Sequence, residues 1–500
     1  MRLQQAACLA LAAMAIGCAS FPQNAPLKAV NLDAGYRFRN LSLGEGNTED
    51  NFVVLSLSGG GTRAAAFAYG AMLALEEVRV PASGGTLLDE VDVISSVSGG
   101  SFAAAYYGTF GKRAFLEEFP EAVLHRKIER ALILRILAPW NWPRLLSYKY
   151  GRSDLADAYY NRYIYRGARF ADLLPQRPQV ILNATDMSLG AQFSFTQDQF
   201  DRLCSDLSEV KLSRGVVASS AFPVGFTPVT IRNYPSRECG YETPQWVGNA
   251  LEHDLETNTL RYDRARVWKT YEDPKRDFLH LNDGGLADNI GLRPILLDLR
   301  SPAAPLGLIR KMNNGDVERI VFIIVDAKPE AELKRDRSPR PPGIFTVLST
   351  SATNPMENYS ADTIELSRDV IAQWSREALD EAANRESCKE LASELCRETG
   401  SDASCESDLN SKCFDFFEVE EDSPKIVFHR IHLRFEADPI HKEKLKKIGT
   451  RLQLSYDEVN LLVDAGGRLL RASPGFRCLA FALNPAEYPL PPRKRADCPE

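Results

Sequence analysis

The chain has 500 residues, of which 44% are hydrophobic and 25% are charged, and its formal net charge is −7. This length suits one large α/β domain with insertions, or two domains, rather than one small domain. The acidic balance and the lack of a basic block in the sequence argue against nucleic acid as the main partner. No apolar run of about 18 residues follows the N-terminus, so no internal transmembrane helix is expected.

The N-terminal residues have the pattern of a secretory signal, with Arg2, an apolar run at residues 9–14 and small residues before Cys18. A cysteine directly after small residues resembles the lipobox of bacterial lipoproteins, which implies cleavage of a signal peptide at residues 1–17 and lipid on Cys18. The alternative is an ordinary signal peptide with an incidental cysteine. We expect an exported lipoprotein, anchored in the bacterial outer membrane or cell envelope, with the polar residues 18–50 as a tether.

The cysteines predict disulfides. Ten are present, and eight remain without Cys8 in the signal and the lipidated Cys18. An even number suits an exported protein in an oxidising compartment. Two short helices folded back on each other within residues 388–413 would form a stapled hairpin, and the remaining cysteines then pair most simply with their neighbours. The expected disulfides are Cys388–Cys413, Cys396–Cys405, Cys204–Cys239 and Cys478–Cys498. No Cys-x-x-Cys or Cys/His cluster suggests zinc, and no metal or other cofactor is expected.

Apolar runs and helical patterns alternate along residues 51–330. A strand at 52–57, a glycine loop and a helix at 64–77 precede a second strand at 91–97 and a second helix. This β-α-β-α order implies parallel strands. Further strands are predicted at residues 178–185, 192–196, 278–283, 320–325 and 425–435, and further helices at 208–217, 362–384 and 456–470.

Two segments outside these runs are interpreted from their composition. The polar residues 230–277 are an expected insertion, and residues 331–500 are an expected C-terminal extension that completes the fold. Residues 133–142 combine aliphatic side chains, two tryptophans and nearby arginines. Such a mixture can lie at a membrane surface. We expect the commoner arrangement, in which a helix packs on the core with its arginines outside.

Three polar turns each follow an apolar strand: Ser-Gly-Gly-Gly-Thr-Arg at 58–63, Ser-Val-Ser-Gly-Gly at 96–100 and Asp-Gly-Gly at 283–285. In an open parallel sheet the carboxyl ends of the strands share one edge, where sites gather. We therefore expect the three turns to converge. A strand, a sharp turn and a helix around Ser98 form the setting of a nucleophile elbow, although Ser96 stands where the usual G-x-S-x-G pattern has glycine.

The chemistry of the three turns is complementary. The hydroxyl of Ser98 is a weak nucleophile that needs a base, and the carboxylate of Asp283 is the candidate. The glycine loop precedes a helix N-terminus, where backbone amides favour negative charge and would stabilise an oxyanion. The amides expected to do so are those of Gly59, Gly60 and Gly61.

These motifs, with Ala-Ser-Ser-Ala-Phe-Pro at 218–223, occur in the order seen in patatin-like phospholipases, which the chain resembles over residues 52–330 and more weakly at 445–470. The resemblance implies a three-layer α/β/α fold with a mainly parallel central sheet and a Ser–Asp dyad without a catalytic histidine. By this match Ser98 is the nucleophile, Asp283 is the base and the glycine loop is the oxyanion hole. Supporting roles are expected for Arg63, Gly99, Gly284 and Gly285.

Several of these residues also have interpretations that involve no role in ester hydrolysis. The glycine loop is also compatible with nucleotide binding, although the third glycine of that fingerprint is missing. Asp283 is also compatible with an ordinary turn. Arg63 either binds a substrate phosphate or, as we expect, forms a structural ion pair. His280 lies three residues before Asp283, and an odd offset places the two on opposite faces of a strand, so we expect a structural histidine. Ala64 replaces a glycine that is frequent in the family.

The leading hypothesis is an exported, lipid-anchored serine acyl hydrolase that cleaves ester bonds of phospholipids or lysophospholipids through an acyl-enzyme. The expected partners are a phospholipid or acyl-ester substrate and the membrane, reached through lipidated Cys18, but not nucleic acid. The sequence identifies no protein partner. Two alternatives remain open. One is a hydrolase of other acyl esters or thioesters, and the other is a catalytically silent lipoprotein that binds lipid or a partner through the same pocket.

Overall fold

The computed structural model describes residues 24–234, 239–298, 306, 311–312, 316–329, 336, 339–399, 405–407, 409, 411–413, 426–496 and 498. The expected signal peptide at residues 1–17 and the expected lipidation at Cys18 lie outside the described residues.

Eight strands form the central sheet. They are β1 (Asn51–Leu57), β2 (Val91–Val97), β3 (Gln179–Asp186), β4 (Ala191–Ser194), β5 (Val229–Arg232), β6 (Phe278–Asp283), β7 (Arg319–Asp326) and β8 (Val427–Arg434). Hydrogen bonds connect them in the order β8-β7-β1-β2-β3-β6-β5, and β4 also pairs with β3. The strands β8, β7, β1, β2 and β3 are parallel, whereas β4, β5 and β6 run antiparallel to their neighbours. The sheet is therefore mostly parallel, as expected.

Helices cover both faces of this sheet. Those of eight or more described residues are α1 (Gly61–Glu76), α2 (Gly99–Phe119), α3 (Ile128–Leu137), α4 (Arg152–Tyr163), α5 (Leu212–Ser219), α6 (Gln245–His253), α7 (Thr259–Thr270), α8 (Ile344–Thr399), α9 (Tyr456–Ala472) and α10 (Pro474–Leu483). Shorter helical segments are Trp142–Leu145, Gln197–Asp201, Gly285–Asp288, Arg293–Asp298, Lys442–Leu445 and Pro492–Arg495. Two small pairings join Ala25–Pro26 to Ser205–Asp206 and Arg79–Val80 to Gly85–Thr86.

The strand β1 shows how the layers are held together. Every residue of β1 is buried, and successive side chains point to opposite faces. Val53 and Leu55 join the apolar cluster that contains α1, α2, α5 and α9. Phe52 and Val54 join a second cluster on the other face, to which Ile371 of α8 belongs. A parallel strand buried on both faces has the continuous apolar run from which the α/β/α fold was predicted, and that prediction is confirmed.

The C-terminal part of the chain packs into this framework. The strand β8 extends the sheet beside β7, and α9 crosses α1 at close range. A Cβ at Gly70 of α1 would lie 2.0 Å from the carbonyl oxygen of Val463, and one at Gly466 of α9 would lie 2.5 Å from that of Phe67. Glycine at both positions lets the two backbones touch. The glycine loop at the start of α1 is thereby fixed by a helix almost 400 residues away in sequence.

The expected insertion at residues 230–277 begins later than predicted. Its first residues belong to β5, which pairs with β6 at the edge of the sheet. The segment outside the sheet therefore starts after Arg232, and it carries α6 and α7.

All four expected disulfides are present: Cys204–Cys239, Cys388–Cys413, Cys396–Cys405 and Cys478–Cys498. Two of them close the predicted hairpin. Its first arm is the end of the long helix α8 rather than a separate short helix, so the predicted helix at 362–384 is only the middle of a continuous one.

The expected packing of residues 133–142 on the core is wrong for most of their large apolar side chains, although Ile136 packs against the core. In α3 the side chains of Ile133, Leu134 and Leu137 are exposed, together with Trp140 after the helix. The arginine faces inward instead, because the guanidinium of Arg135 stacks on the Tyr159 ring with 4.5 Å between the guanidinium carbon and the ring centroid. None of the helices within the described ranges is long and apolar enough to cross a membrane.

Candidate active site

Ser98 stands at a strained turn between β2 and α2. Its backbone has φ 49° and ψ −114°, a conformation that residues with a Cβ rarely adopt. The next residue cannot carry a side chain, because a Cβ at Gly99 would lie 2.1 Å from the carbonyl oxygen of Gly61. The turn is therefore tight enough to present the Ser98 hydroxyl directly above the N-terminus of α2, as the elbow motif predicts.

The hydroxyl of Ser98 donates a hydrogen bond to Oδ2 of Asp283, with 2.9 Å between the oxygens. The other oxygen of Asp283 accepts the Gly285 N–H, also at 2.9 Å. Asp283 is only 4% exposed. Burial raises its pKa to about 6, against the lowering effect of the Gly285 and Ser98 hydrogen bonds. Near neutral pH the carboxylate is thus ionised, yet more basic than an ordinary aspartate, which suits a proton acceptor.

The two residues meet for a reason other than the one predicted. Asn183 of β3 pairs with β2 along one edge and with β4 along the other. The strand β4 occupies the second edge of β3 from Asn183 to Asp186. Because β6 pairs with residues 184–186 of β3, it must lie on the first edge, which it shares with β2. There β6 runs antiparallel to β3 and ends opposite Ala184, one residue beyond the end of β2. Asp283 therefore reaches Ser98 because two opposed strands meet end to end, not because parallel strands share a carboxyl edge.

The Asp-Gly-Gly turn is clamped from two sides. The Thr185 hydroxyl of β3 donates to the carbonyl of Asp283 at 2.7 Å. From the end of α5, the carbonyls of Ala221 and Ser219 accept the N–H groups of Asp283 and Gly284, at 3.1 and 3.0 Å. The motif at residues 218–223 thus holds the carboxylate in position through the backbone.

Ser219 is a site residue that the sequence analysis missed. Its Oγ accepts the backbone N–H of Ser98 at 2.9 Å and donates to the carbonyl of Asn183 at 2.6 Å. Because its one proton is used there, Ser101 is the donor in the 2.8 Å contact between the Ser101 and Ser219 hydroxyls. In the sequence, Ser219 is marked only as part of the family motif at residues 218–223. The motif does not indicate which groups Ser219 contacts.

The glycine loop offers two free amides rather than three. The N–H of Gly59 donates to the carbonyl of Asn289 at 3.0 Å. Gly60 and Gly61 have positive φ of 140° and 61°, and within the described part of the chain their N–H groups have no acceptor. Both line the cavity in which Ser98 lies. A Cβ at Gly61 would be 2.4 Å from the carbonyl oxygen of Arg451, so the loop is also fixed from the C-terminal region.

The structural ion pair expected for Arg63 is wrong. Its guanidinium is buried and donates from Nη1 to the backbone carbonyl of Ile448 at 2.6 Å. Burial lowers its pKa to about 10, although Asp326 and Glu357 act in the opposite direction. Neither carboxylate forms a salt bridge with it in the described structure, and its Nε has no partner among the described residues. Arg63 is therefore a buried cation in the cavity wall that a backbone carbonyl positions.

A cavity of about 410 Å³ encloses the Ser98 hydroxyl and the Asp283 carboxylate. Its lining contains aromatic side chains and charged side chains of both signs. The aromatic residues are Phe102, Phe222 and Phe226, and the charged ones are Arg63, Glu129, Asp326, Lys328, Glu357 and Arg451.

His280 takes no part in this site. It lies on the exposed face of β6, whereas Asp283 is buried on the other face, as the strand periodicity predicts. Its Nδ1 contacts the Thr230 hydroxyl at 3.0 Å. Over the described ranges, no group of three or more His, Cys, Asp or Glu side chains is arranged to hold a metal ion.

The site thus combines an α/β/α fold, a serine at a strained strand-to-helix turn and a buried aspartate bonded to it, as the resemblance to patatin-like phospholipases implies. The family model described as patatin-like phospholipase matches residues 55–296. Residues 55–296 therefore form a domain that is similar to patatin-like phospholipases.

The other comparisons are weaker. No curated protein matches the chain. One matching solved structure is human GIVD cytosolic phospholipase A2, with 15% identity and a TM-score of 0.33, over 61% of this chain and 48% of that one. The chain thus spans about half the length of that structure, and at this TM-score the similarity carries no argument about mechanism.

Proposed function

We propose that this protein is a serine acyl hydrolase that cleaves ester bonds of phospholipids or lysophospholipids through a Ser98–Asp283 dyad. The observation that carries the proposal is the 2.9 Å hydrogen bond from the Ser98 hydroxyl to a buried carboxylate. This hydrogen bond lies at a strained turn, inside a cavity whose lining includes three phenylalanines.

In the proposed first step Ser98 Oγ attacks the ester carbonyl and its proton moves to Oδ2 of Asp283. The tetrahedral intermediate then collapses, the bond to the alcohol oxygen breaks, and Asp283 returns the proton to the leaving alcohol. Water attacks the acyl-enzyme in the second step and gives its proton to Asp283. Release of the fatty acid returns that proton to Ser98, so the enzyme is restored.

The oxyanion formed in both steps is proposed to accept the N–H groups of Gly60 and Gly61. Gly59 instead shapes the loop, because its amide is bonded to Asn289. The N-terminus of α1 directly follows and adds its dipole. Removal of one such donor typically lowers kcat by about 10²- to 10³-fold.

The mixed aromatic and charged lining of the cavity supports an amphiphilic ester as substrate. The apolar side chains of Phe102, Phe222 and Phe226 suit an acyl chain, since apolar burial drives its binding. The cationic side chains of Arg63 and Lys328 in the same lining suit a polar head group.

Export and lipidation at Cys18 are part of the proposal. The four disulfides support an oxidising compartment. Metabolic labelling with a fatty acid is expected to label the wild-type chain but not a Cys18→Ser variant. Equal labelling of the two proteins would exclude lipidation at this residue.

The hydrolase is tested with a fluorophosphonate probe and with lipid product analysis. We expect the probe to label Ser98, and we expect fatty acid release from phospholipid or lysophospholipid that is lost in folded Ser98→Ala. Hydrolysis at the wild-type rate by Ser98→Ala would refute the dyad. If only other acyl esters or thioesters release products, the substrate is not a phospholipid or lysophospholipid. Absence of any labelling would favour a catalytically silent lipid-binding protein.

A further inference from the structure

We propose that α3 and the segment after it form a docking surface for an anionic lipid bilayer. The docking surface consists of Ile133, Leu134, Leu137, Trp140, Trp142 and Leu146, all of which are exposed. Trp140 is 79% exposed and Leu146 is 84% exposed, although large apolar side chains are normally buried. Contiguous exposed apolar groups of this kind mark interaction sites.

The exposure results from the packing of α3 and not from a loose segment. Ile128 and Leu132 form the inner stripe of the helix and are buried. Ile133, Leu134 and Leu137 form a second stripe with helical spacing on the outside. The helix is therefore apolar on two stripes, but the described part of the protein buries only the inner one.

Hydrogen bonds to the backbone of α3 hold Trp142 and its neighbour Asn141 in place. The indole N–H of Trp142 donates to the carbonyl of Ile136 at 3.1 Å. The side-chain amide of Asn141 donates to the carbonyl of Arg135 at 2.8 Å. Since the polar atom of Trp142 is satisfied by the chain, its ring is presented as an apolar surface. Tryptophans of this kind are typical of the boundary between water and lipid.

The charge around the docking surface fits an anionic surface. Residues 126–152 contain seven basic side chains and one acidic side chain, in a chain whose net charge is −7. Arg130 and Arg144 are exposed. Basic residues beside an apolar face attract anionic head groups. They oppose a symmetric dimer through this face, because the same cations would then lie near one another.

The docking surface adjoins the opening of the cavity. Glu129 of α3 lines the cavity that contains Ser98, and Ile133 lies one helical turn further along the same face. Leu348 of α8 is also exposed, and its neighbour in sequence, Ser349, lines the same cavity. A bilayer seated on this surface would therefore lie next to the active-site opening. This positional argument rests on the proposed function, whereas binding itself does not.

The test measures vesicle binding in a Ser98→Ala background, so that no lipid is cleaved. The full chain also carries Cys18→Ser, so that no lipid can be attached at Cys18. Co-sedimentation is compared with vesicles of phosphatidylcholine alone and of phosphatidylcholine with phosphatidylglycerol. We expect binding to the anionic vesicles and about tenfold weaker partitioning for each of Trp140→Ala and Trp142→Ala.

The charged residues give a second, separable effect. Each of Arg130→Gln and Arg144→Gln should weaken partitioning into the anionic vesicles about fivefold and leave binding to phosphatidylcholine unchanged. The matched control is Met187→Ala with Leu255→Ala, because these side chains are 57% and 58% exposed elsewhere on the protein. The control should bind like the parent.

Quenching of tryptophan fluorescence by brominated phosphatidylcholine checks the geometry. We expect quenching in the parent and its loss in the folded double variant Trp140→Phe and Trp142→Phe. Equal binding by the tryptophan variants, the arginine variants and the control would overturn the docking surface. So would a dimer that is dissolved by Trp140→Ala without any vesicle binding. Intact binding with an inactive wild-type enzyme would refute the hydrolase alone.

Discussion

The substitution Asp283→Asn should abolish activity and stabilise the protein above about pH 6. Burial raises the pKa of Asp283 from 3.8 to about 6. The folded state therefore binds this proton more tightly than the unfolded state does. The resulting stability is fully present below about pH 3.8 and is lost as the pH rises through about 6. This pKa difference corresponds to about 3 kcal/mol of folding free energy.

Asparagine removes this electrostatic cost while the local contacts are kept. Its side-chain oxygen can accept the Gly285 N–H that Asp283 accepts at 2.9 Å. Its amide can donate to the Ser98 oxygen, which reverses the direction of the existing hydrogen bond. We therefore expect the free energy of unfolding of Asp283→Asn to exceed that of the wild type by about 2–3 kcal/mol at about pH 8, and to equal it near pH 4.

Thermal denaturation at the two pH values checks this prediction, with ester hydrolysis measured in parallel. Loss of the base should lower kcat by about 10²- to 10⁴-fold. In the wild type, kcat/KM should rise with pH to a plateau above about pH 6. Ser98→Ala is the matched control, because it removes activity but leaves the buried charge and so gains no stability at high pH. An Asp283→Asn protein that melts at or below the wild-type temperature at about pH 8 would refute the reasoning.

Three further substitutions test the framework of the site. Ser98→Gly should be more stable than Ser98→Ala by about 1–2 kcal/mol in thermal denaturation, since glycine tolerates φ 49°, and equal stability would contradict the strain. Ser219→Ala should lose about 1–3 kcal/mol and also lower kcat, whereas Ser205→Ala, another buried serine bonded to a backbone carbonyl, should lose stability alone. Gly70→Ala should cost about 3 kcal/mol or more by forcing α9 away from α1, whereas Gly248→Ala, whose Cβ would meet nothing within 4 Å, should stabilise by up to about 1 kcal/mol; similar melting temperatures for the two would refute the close crossing.

The features predicted correctly from sequence have local signals. A run of β-branched residues followed by Ser-Gly-Gly predicts the turn at Ser98, because the chain alone determines that geometry. Cysteine spacing predicted all four disulfides, since near neighbours on folded-back segments leave few alternatives. The alternation along residues 278–283 likewise separated His280 from Asp283.

The direction of β6 has no such signal. A short alternating strand has the same pattern whichever way it runs, so an argument from parallel strands reached the correct neighbour for Asp283 by the wrong route. The commitment of the Gly59 amide to Asn289 is similarly invisible, because a backbone hydrogen bond between distant loops depends on no side-chain pattern. Long-range backbone contacts of this kind decide which groups remain free to meet a substrate.

The inverted packing of α3 shows the limit of composition. Apolar residues occur on two stripes of that helix, and the sequence does not show which of these stripes other elements bury. A buried helix was the natural expectation, yet only the stripe with Ile128 and Leu132 is buried. Arg135 was expected to face solvent because the sequence does not show that its aromatic partner, Tyr159 of another helix, lies beside it.

The C-terminal extension is part of the active site's scaffold, although the family match ends at residue 296. The carbonyl of Arg451 accepts the N–H of Thr62 at 2.8 Å, and that of Ile448 accepts the Arg63 guanidinium. Both contacts fix the first turn of α1, directly after the amides proposed for the oxyanion. Without residues 448–451 these buried donors would lose their partners, at about 1–3 kcal/mol each. The matched domain therefore supplies the groups proposed to react, and the extension holds the loop proposed to stabilise the oxyanion.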